Sequence, residues 1–288
     1  MVIHYYCIFI VKIVFDSVGE YGFHQKWILK NLFHLFSKKI IPLIGCLFFS
    51  GCNHTQKSIL YHWQKKQQMI VVITDGWYSN RGKLYRFEYL HSKWHKKGNG
   101  VSVSLGSQGL AWGRGLHPFI QEGLYKKEGD KRSPVGIFKI GFAFGYRNNL
   151  SINYPYHVMT QYDYCIDDPT SSQYNQIIDK QNFSLKEKFI LSEPMRRDIH
   201  FKGDQLYKLG FVIEHNEKNI PHYGSCIFAH LRKNANAVTS GCTAMDEKDM
   251  TQILRWLNPD YHPIYVLLPK VVYHQKQQVW NLPSMKND

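Results

Sequence analysis

Short apolar runs separated by turn residues recur along the chain from residue 69 onwards. The segment "GVSVSLG" (100–106) alternates apolar and polar positions with period two, and "MIVVITDGW" (69–77) is an apolar run that ends at an Asp-Gly turn signal. Both patterns are typical of β-strands. Further runs of this kind are "KLYRFEYL", "GIFKIGFAFGY", "GFVIEHN", "SCIFAHL" and "PIYVLLP". Their spacing predicts a β-rich α+β domain built as a sandwich or a barrel.

Helical patterns are fewer, and the clearest is "DEKDMTQILRWL" (246–257). Asp246 is placed to cap this helix, with Asp249 three residues later, close to a capping box. The apolar residues fall at helical spacing on one face. They are Met250, Ile253, Leu254 and Leu257. A second, shorter helix is predicted within "SEPMRRDIHFKGDQLYKLG" (192–210).

The N-terminal segment "SKKIIPLIGCLFFSGC" (37–52) has the composition of a secretory signal. Two lysines precede a short apolar stretch, and small residues follow it. A cysteine directly after Ser-Gly resembles a bacterial lipobox, in which that cysteine is lipidated and becomes the new N-terminus. We therefore expect residues 1–51 to be a leader that begins further upstream than such a signal needs. Lipidation at Cys52 would make the chain a periplasmic, membrane-anchored lipoprotein. The alternative is an uncleaved anchor over residues 32–49.

Beyond the leader, composition divides the chain into three parts. Residues 52–68 are polar and basic and are interpreted as a tether. Residues 69–270 contain no fixed-period repeat and no second composition regime, which predicts one catalytic-sized domain. Residues 271–288 are expected to be a peripheral tail. A hydrophobic content of 44% is sufficient for a packed core.

The charge of the chain favours an acidic partner. Lys and Arg number 36 against 22 Asp and Glu, a formal net charge of +14. Anionic lipid and an acidic cell-wall polymer both fit such a charge. The sequence has no helix-turn-helix, zinc-finger spacing or aromatic RNA-binding signature, so we expect no nucleic-acid partner.

Candidate chemistry is concentrated in "GSCIFAHLRKNANAVTSGCTAM" (224–245). His230 ends an apolar run, and Cys242 follows Thr-Ser-Gly. A cysteine is mostly protonated at neutral pH and needs a base or a positive neighbour. His230 is the nearest histidine in sequence, so we expect it to keep a thiolate present well below pH 8.5. The N–H groups of Gly241 and Cys242 are predicted to form an oxyanion hole.

Two other interpretations of this segment stay open. The pair could be two structural residues of a core. It could also belong to a zinc site with His215 and His222, although these separations do not match a compact metal-ligand pattern. We therefore expect no metal and no cofactor.

The remaining cysteines bear on the redox state of the protein. If Cys52 carries lipid, three cysteines remain in an oxidising compartment, and an odd number leaves at least one free thiol. Cys226 lies within a predicted strand and is expected to be buried. Cys165 lies in a polar loop, and whether it pairs with Cys226 stays open. We expect turnover to need neither of them.

Two further features have ordinary structural interpretations. Asp167 and Asp168 precede a proline, which favours a turn over a metal or acid–base site. Trp112, with its flanking glycines, either lines a sugar-binding cleft or belongs to a turning strand.

The segment "CIFAHLRKNANAVTSGCTAM" resembles the active-site segment of the L,D-transpeptidase (YkuD-type) family. In that family a histidine ends a strand and an [S/T]-x-G-C turn follows. Four upstream segments resemble the same branch in the same order, so the resemblance covers roughly residues 69–270. They are "GSQGLAWGRGL", "KRSPVGIFKIGFAFGY", "CIDDPTSSQYNQIID" and "LYKLGFVIEHN". The resemblance implies a YkuD-like sandwich or barrel with a helix after the nucleophile.

Carried over by position, the family's roles fall on three residues. Cys242 would attack a peptide carbonyl of the peptidoglycan stem and form a thioester acyl-enzyme, with His230 as base. Leu231 would orient the histidine through its backbone carbonyl. The best-known members differ at two places: they have histidine where this chain has Ser240, and arginine or asparagine within the stretch 243–245.

The resemblance therefore leaves part of the function open. The donor and acceptor peptides are not implied, and neither is transfer as opposed to hydrolysis, which would make a carboxypeptidase. A non-catalytic wall-binding lipoprotein with the same fold is a further alternative.

Overall fold

Thirteen strands and three α-helices are present in residues 61–120, 122–148, 151–182 and 192–285, which are the residues described by the computed structural model. The strands are β1 (Gln68–Thr74), β2 (Arg81–Leu90), β3 (Lys93–Ser104), β4 (Leu110–Trp112), β5 (Ser133–Gly145), β6 (Tyr156–Val158), β7 (Asp163–Cys165), β8 (Ile177–Asp179), β9 (Glu193–Pro194), β10 (Leu209–Ile213), β11 (Phe228–Leu231), β12 (Thr243–Met245) and β13 (Ile264–Pro269). The helices are α1 (Arg197–His200), α2 (Glu247–Trp256) and α3 (Lys270–Lys276).

Eight of these strands close into a ring in the order β10-β11-β12-β3-β2-β1-β13-β5. The ring closes because β10 pairs with β11 on one side and with β5 on the other. Strands β4 and β6 also pair with β5. A separate three-stranded sheet has the order β8-β7-β9. The β-rich fold with a helix after Cys242 is confirmed, and its main sheet has the connectivity of a barrel.

Strand β1 lies in the middle of this arrangement, between β2 and the parallel strand β13. Its apolar residues 69–72 have no exposed surface. A strand with paired neighbours on both sides and buried faces carries a continuous apolar run rather than an alternating one. This explains why "MIVVIT" and "IYVLL" do not alternate.

Helix α2 buries the predicted stripe, since Met250, Ile253 and Leu254 are fully buried. The predicted side-chain cap is wrong. Asp246 occupies the N-cap position, but its carboxylate makes no capping hydrogen bond. It accepts two hydrogen bonds from Arg232, at 2.8 and 2.6 Å. A bidentate, charge-assisted pair with a guanidinium is stronger than a bond to a neutral N–H, and it ties the end of β11 to the start of α2.

The predicted domain range, residues 69–270, is too short at both ends. Tyr273 and Trp280, placed in the expected tail, are buried in the core. Trp63, placed in the expected tether, donates its indole N–H to the carbonyl of Asn281 at 2.8 Å. The packed domain therefore extends to both ends of the described residues, 61 and 285, because a few aromatic side chains anchor these polar-looking ends.

The leader (1–51) and Cys52 lie outside the described residues. Among the helices in the described part of the chain, none has the length and apolar character needed to cross a bilayer.

Replacing Trp280 with Ala should lower the free energy of unfolding by about 3–5 kcal/mol, because it removes a large side chain that is 2% exposed. Val271 is 63% exposed, so Val271→Ala should change stability by no more than about 0.5 kcal/mol. Chemical denaturation of both variants checks this. If both substitutions change the free energy of unfolding by the same small amount, residues 271–288 are a peripheral tail after all.

Candidate active site

The parallel pairing of β11 with β12 brings the two halves of the active-site segment together. In this pairing His230 lies opposite Ala244. Cys242 therefore reaches the start of β11, where its Sγ accepts a hydrogen bond from the N–H of Phe228 at 3.3 Å. The thiol also lies 3.5 Å from the carbonyl oxygen of Cys226. Cys242 is buried and, among the described cysteines, is the free one.

The turn before Cys242 is held by hydrogen bonds to a hydroxyl. Thr239 Oγ1 donates to the carbonyl of Cys242 at 2.7 Å and accepts from the N–H of Gly241 at 3.1 Å. Gly241 has φ of +146°, and a Cβ there would approach the carbonyl oxygen of Arg132 to 3.0 Å. Only glycine adopts this backbone conformation without strain.

The predicted oxyanion pair is only half available. The N–H of Gly241 is already bound by Thr239 Oγ1. The N–H of Cys242 meets no acceptor in the part of the chain that the structure describes. The oxyanion prediction did not consider that the hydroxyl of the threonine two residues before the glycine competes for the glycine N–H.

His230 is oriented through its own strand. Its Nδ1 lies 2.6 Å from the carbonyl oxygen of Leu231, the contact that the family resemblance implies. A carbonyl oxygen only accepts, so Nδ1 carries the proton and Nε2 is left as the basic nitrogen. The ring of Tyr207 packs edge-on against the imidazole, with centroids 5.2 Å apart.

Burial keeps both groups uncharged in the resting protein. Desolvation lowers the pKa of His230 to about 4, against the opposing effect of its bond to Leu231. Desolvation, together with the charge of the nearby Glu193 carboxylate, raises the pKa of the Cys242 thiol to about 12. The expected thiolate well below pH 8.5 is therefore not the resting state. The two residue types are evident from the sequence, but the depth at which they are buried is not.

His230 and Cys242 line the same cavity, which has a volume of about 420 Å³. Tyr207 belongs to its wall and donates its hydroxyl to Glu193 at 2.7 Å. The charged side chains of the wall are Lys126, Glu128, Lys131, Asp167, Glu193 and Arg197. Sequence reasoning missed most of these, because they come from three separate segments that only the fold brings together.

The Asp167–Asp168 pair divides between two roles. Asp168 Oδ1 accepts from the N–H and the hydroxyl of Thr170, at 2.9 and 2.8 Å, as expected for a turn. Asp167 instead lines the cavity, and its Oδ1 is buried without a hydrogen-bond partner among the described residues. Desolvation raises the pKa of this carboxyl, and the charges of Glu128 and Asp168 add to the effect.

Cys165 and Cys226 form a disulfide, with Cα atoms 6.0 Å apart. The prediction that Cys226 lies within a strand is wrong, because it lies two residues before β11. Its φ is +53°, in the left-handed region that non-glycine residues seldom occupy. Cys226 also lines the cavity, whereas Cys165 is not among its lining residues, so the disulfide ties one residue of the wall to β7.

The other candidates have structural contacts. His215 Nδ1 accepts from the N–H of Arg114 at 3.1 Å, and its Nε2 donates to the carbonyl of Tyr223 at 2.8 Å. In the described ranges, no group of three or more His, Cys, Asp or Glu side chains is arranged to hold a metal ion. Trp112 is 4% exposed and packs on Trp77, so it belongs to a buried strand rather than to an open cleft.

Comparison with known proteins agrees with this arrangement. A family model of the L,D-transpeptidase catalytic domain (YkuD) matches residues 64–266, more than half of the chain. The chain belongs to this family. Within this L,D-transpeptidase domain, the match includes both β11 and the Cys242 turn.

One solved structure is similar to this L,D-transpeptidase chain. It is the helical cell shape determining protein Pgp2 from Campylobacter jejuni, with a TM-score of 0.33 and 13% sequence identity. The alignment covers 73% of this chain and 50% of that protein, so the chain spans half the length of that relative. No curated protein matches the chain.

Labelling of Cys242 by iodoacetamide should be slow at pH 7 and should rise about tenfold per pH unit up to pH 10, because the thiolate reacts and the pKa is about 12. The His230→Ala variant should keep this profile, since an imidazole with a pKa of about 4 is already neutral there. Peptide mass spectrometry at a series of pH values measures both. A plateau by pH 7 that disappears in His230→Ala would instead indicate a resting thiolate–imidazolium pair.

Proposed function

We propose that the chain is a cysteine acyltransferase of the peptidoglycan L,D-transpeptidase type, acting on wall stem peptides. The observation that carries this proposal is the convergence of Cys242 and His230 on one cavity, with Nδ1 of the histidine fixed by the carbonyl of Leu231. A thiol, a neutral imidazole whose basic nitrogen has no hydrogen-bond partner among the described residues, and a shared cavity together suit acyl transfer.

In the proposed first step, Cys242 Sγ attacks a peptide carbonyl carbon of the donor stem. The thiol proton passes to His230 Nε2 as the C–S bond forms, because neither group carries a charge at rest. The N–H of Cys242 donates a hydrogen bond to the carbonyl oxygen and stabilises the negative charge that develops there. When the C–N bond breaks, His230 returns the proton to the leaving amine. The product is a thioester on Cys242.

In the second step an acceptor amine attacks the thioester and restores the thiol. If water takes that place, the same residues perform a carboxypeptidase reaction. The mixed charges of the cavity wall favour a peptide that carries both amino and carboxylate groups. Removal of residues 1–51, with five lysines and two acidic residues, leaves a net charge of 14 − 3 = +11, which favours an acidic wall as the surroundings.

Incubation of the purified domain with wall fragments should give an acyl adduct on Cys242 in the intact mass spectrum. Cys242→Ala should give no adduct while its circular dichroism spectrum stays unchanged. His230→Ala should lower turnover by roughly 10²- to 10⁴-fold, the usual contribution of a general base. Chromatography of the products distinguishes transfer from hydrolysis.

Two results would contradict this function. Absence of any adduct on the wild-type domain would favour a wall-binding protein without turnover. Loss of activity with a chelator, followed by recovery with zinc, would favour a metal mechanism over the thiol.

We also propose that the mature chain is a periplasmic lipoprotein anchored to a membrane through Cys52, with residues 1–51 removed. The support is the lysine, apolar and Ser-Gly-Cys order of residues 38–52. A lipid anchor would hold the enzyme at the membrane next to the wall.

Cys52→Ala should abolish incorporation of a labelled fatty acid and should prevent cleavage of the leader before residue 52. Fractionation and mass spectrometry of the expressed full chain measure both. If the variant stays in the membrane fraction at the same mass as the wild type, residues 32–49 are an uncleaved anchor instead.

A further inference from the structure

The three-stranded sheet β8-β7-β9 and the segments that follow its strands contribute three charged residues to the wall of the cavity. Asp167 follows β7, Glu193 lies in β9, and Arg197 lies in α1, directly after β9. Arg197 donates to Glu193 at 3.1 Å and to Asp204 at 2.8 Å, so the side chains of this wall also hold one another. The position of this sheet therefore affects where three charged groups lie in the cavity that Cys242 also lines.

Two links join this sheet to the segment that precedes β11. The disulfide joins Cys165, the last residue of β7, to Cys226. Asn175 forms the second link: its Oδ1 accepts from the N–H of Cys226 at 3.0 Å, and its Nδ2 donates to the carbonyls of His215 and Asn216, each at 3.1 Å. Cys226 is thus held through both its side chain and its backbone.

The backbone held in this way makes both contacts to the thiol of Cys242. The carbonyl of Cys226 lies 3.5 Å from Sγ, and the N–H of Phe228 donates to Sγ at 3.3 Å. The positive φ of Cys226 is a conformation that persists only where its surroundings impose it. The covalent bond to β7 is the strongest of the restraints that surround it.

We propose that the Cys165–Cys226 disulfide is a positioning element of the active site, and that its reduction by a dithiol lowers turnover while the barrel stays folded. This inference rests on the proposed function and reverses the expectation that turnover needs neither cysteine. The dithiol gives two electrons and two protons to the S–S bond, leaves two thiols in the protein and becomes a disulfide itself. The ring of eight strands closes through backbone pairing, so it does not need this bond.

The test uses the wild-type domain before and after reduction with dithiothreitol, and the double variant Cys165→Ala/Cys226→Ala. Thiol counting and mass spectrometry establish the state of the bond. With the bond broken, we expect turnover on wall peptides to fall at least tenfold, with a higher KM as well as a lower kcat. Labelling of Cys242 at pH 7 should rise about tenfold, because the released 226–228 backbone exposes the thiol. Reoxidation of the reduced wild type should reverse both changes.

Trp280→Ala is the matched control, since it destabilises the domain from the core beside α3 rather than from the cavity. At a temperature where all forms are folded by circular dichroism, it should keep the turnover and labelling rates of the wild type. If the reduced protein does the same, or if Trp280→Ala changes as much as the double variant does, the inference is wrong. If the double variant does not fold, reduced wild type alone decides.

The labelling measurement keeps this inference separate from the proposed function. If the oxidised wild type forms no adduct with wall peptides, the proposed acyltransferase function is wrong. If the oxidised wild type turns over, and reduction changes neither labelling nor turnover, the positioning role of the disulfide is wrong and the proposed function still stands.

Discussion

Parallel strands begin at the same edge of a sheet, and that geometry places Cys242 beside the first residues of β11. The connection between the strands, residues 232–242, is short for a parallel crossover and contains no helix. It is held along its length instead. Arg81 donates to the carbonyls of Asn236 and Ala237, at 2.6 and 2.9 Å, and the Arg232–Asp246 pair closes its base. Without this pairing, the histidine and the cysteine would have no common cavity.

The burial that fixes the two side chains also sets their protonation states. Moving an imidazole and a thiol out of water penalises the imidazolium and the thiolate, so both remain neutral at physiological pH. A neutral thiol is a weak nucleophile, which protects the resting protein from alkylation and oxidation. In the proposed mechanism, reactivity then depends on a substrate that brings its carbonyl to Sγ while His230 Nε2 accepts the proton. In that proposal the thiol gives up its proton only as the new C–S bond forms, so a separate buried thiolate–imidazolium pair need not form first.

The sequence predicted the parts of this structure that depend on local pattern. Continuous and alternating apolar runs predicted seven of the strands, and the spacing of Met250, Ile253 and Leu254 predicted the buried face of α2. What it could not give depends on contacts between distant segments. The closure of β10 onto β5 and the bond between Cys165 and Cys226, 61 residues apart, belong to this group.

Competition between partners explains the local predictions that were wrong. A carboxylate at an N-cap position is a good cap until a guanidinium lies within reach, as Arg232 does for Asp246. A glycine N–H before a nucleophile is a good oxyanion donor until a hydroxyl such as that of Thr239 binds it. Pattern identifies which groups are capable of an interaction, and only the fold decides which of their possible partners is present.

The departures from the family pattern after Cys242 acquire a meaning once burial is known. Thr243 Oγ1 lies 2.6 Å from the hydroxyl of Tyr265 inside the barrel, and Met245 is fully buried, so neither side chain can reach the cavity. Charge enters the cavity from elsewhere: Arg197 reaches it from α1, and Lys126 from the segment before β5. The proposed nucleophile and base therefore come from the barrel, whereas many of the groups that would contact a substrate come from the segments around it. A motif confined to β11 and the Cys242 turn identifies the chemistry but carries little information about the peptide.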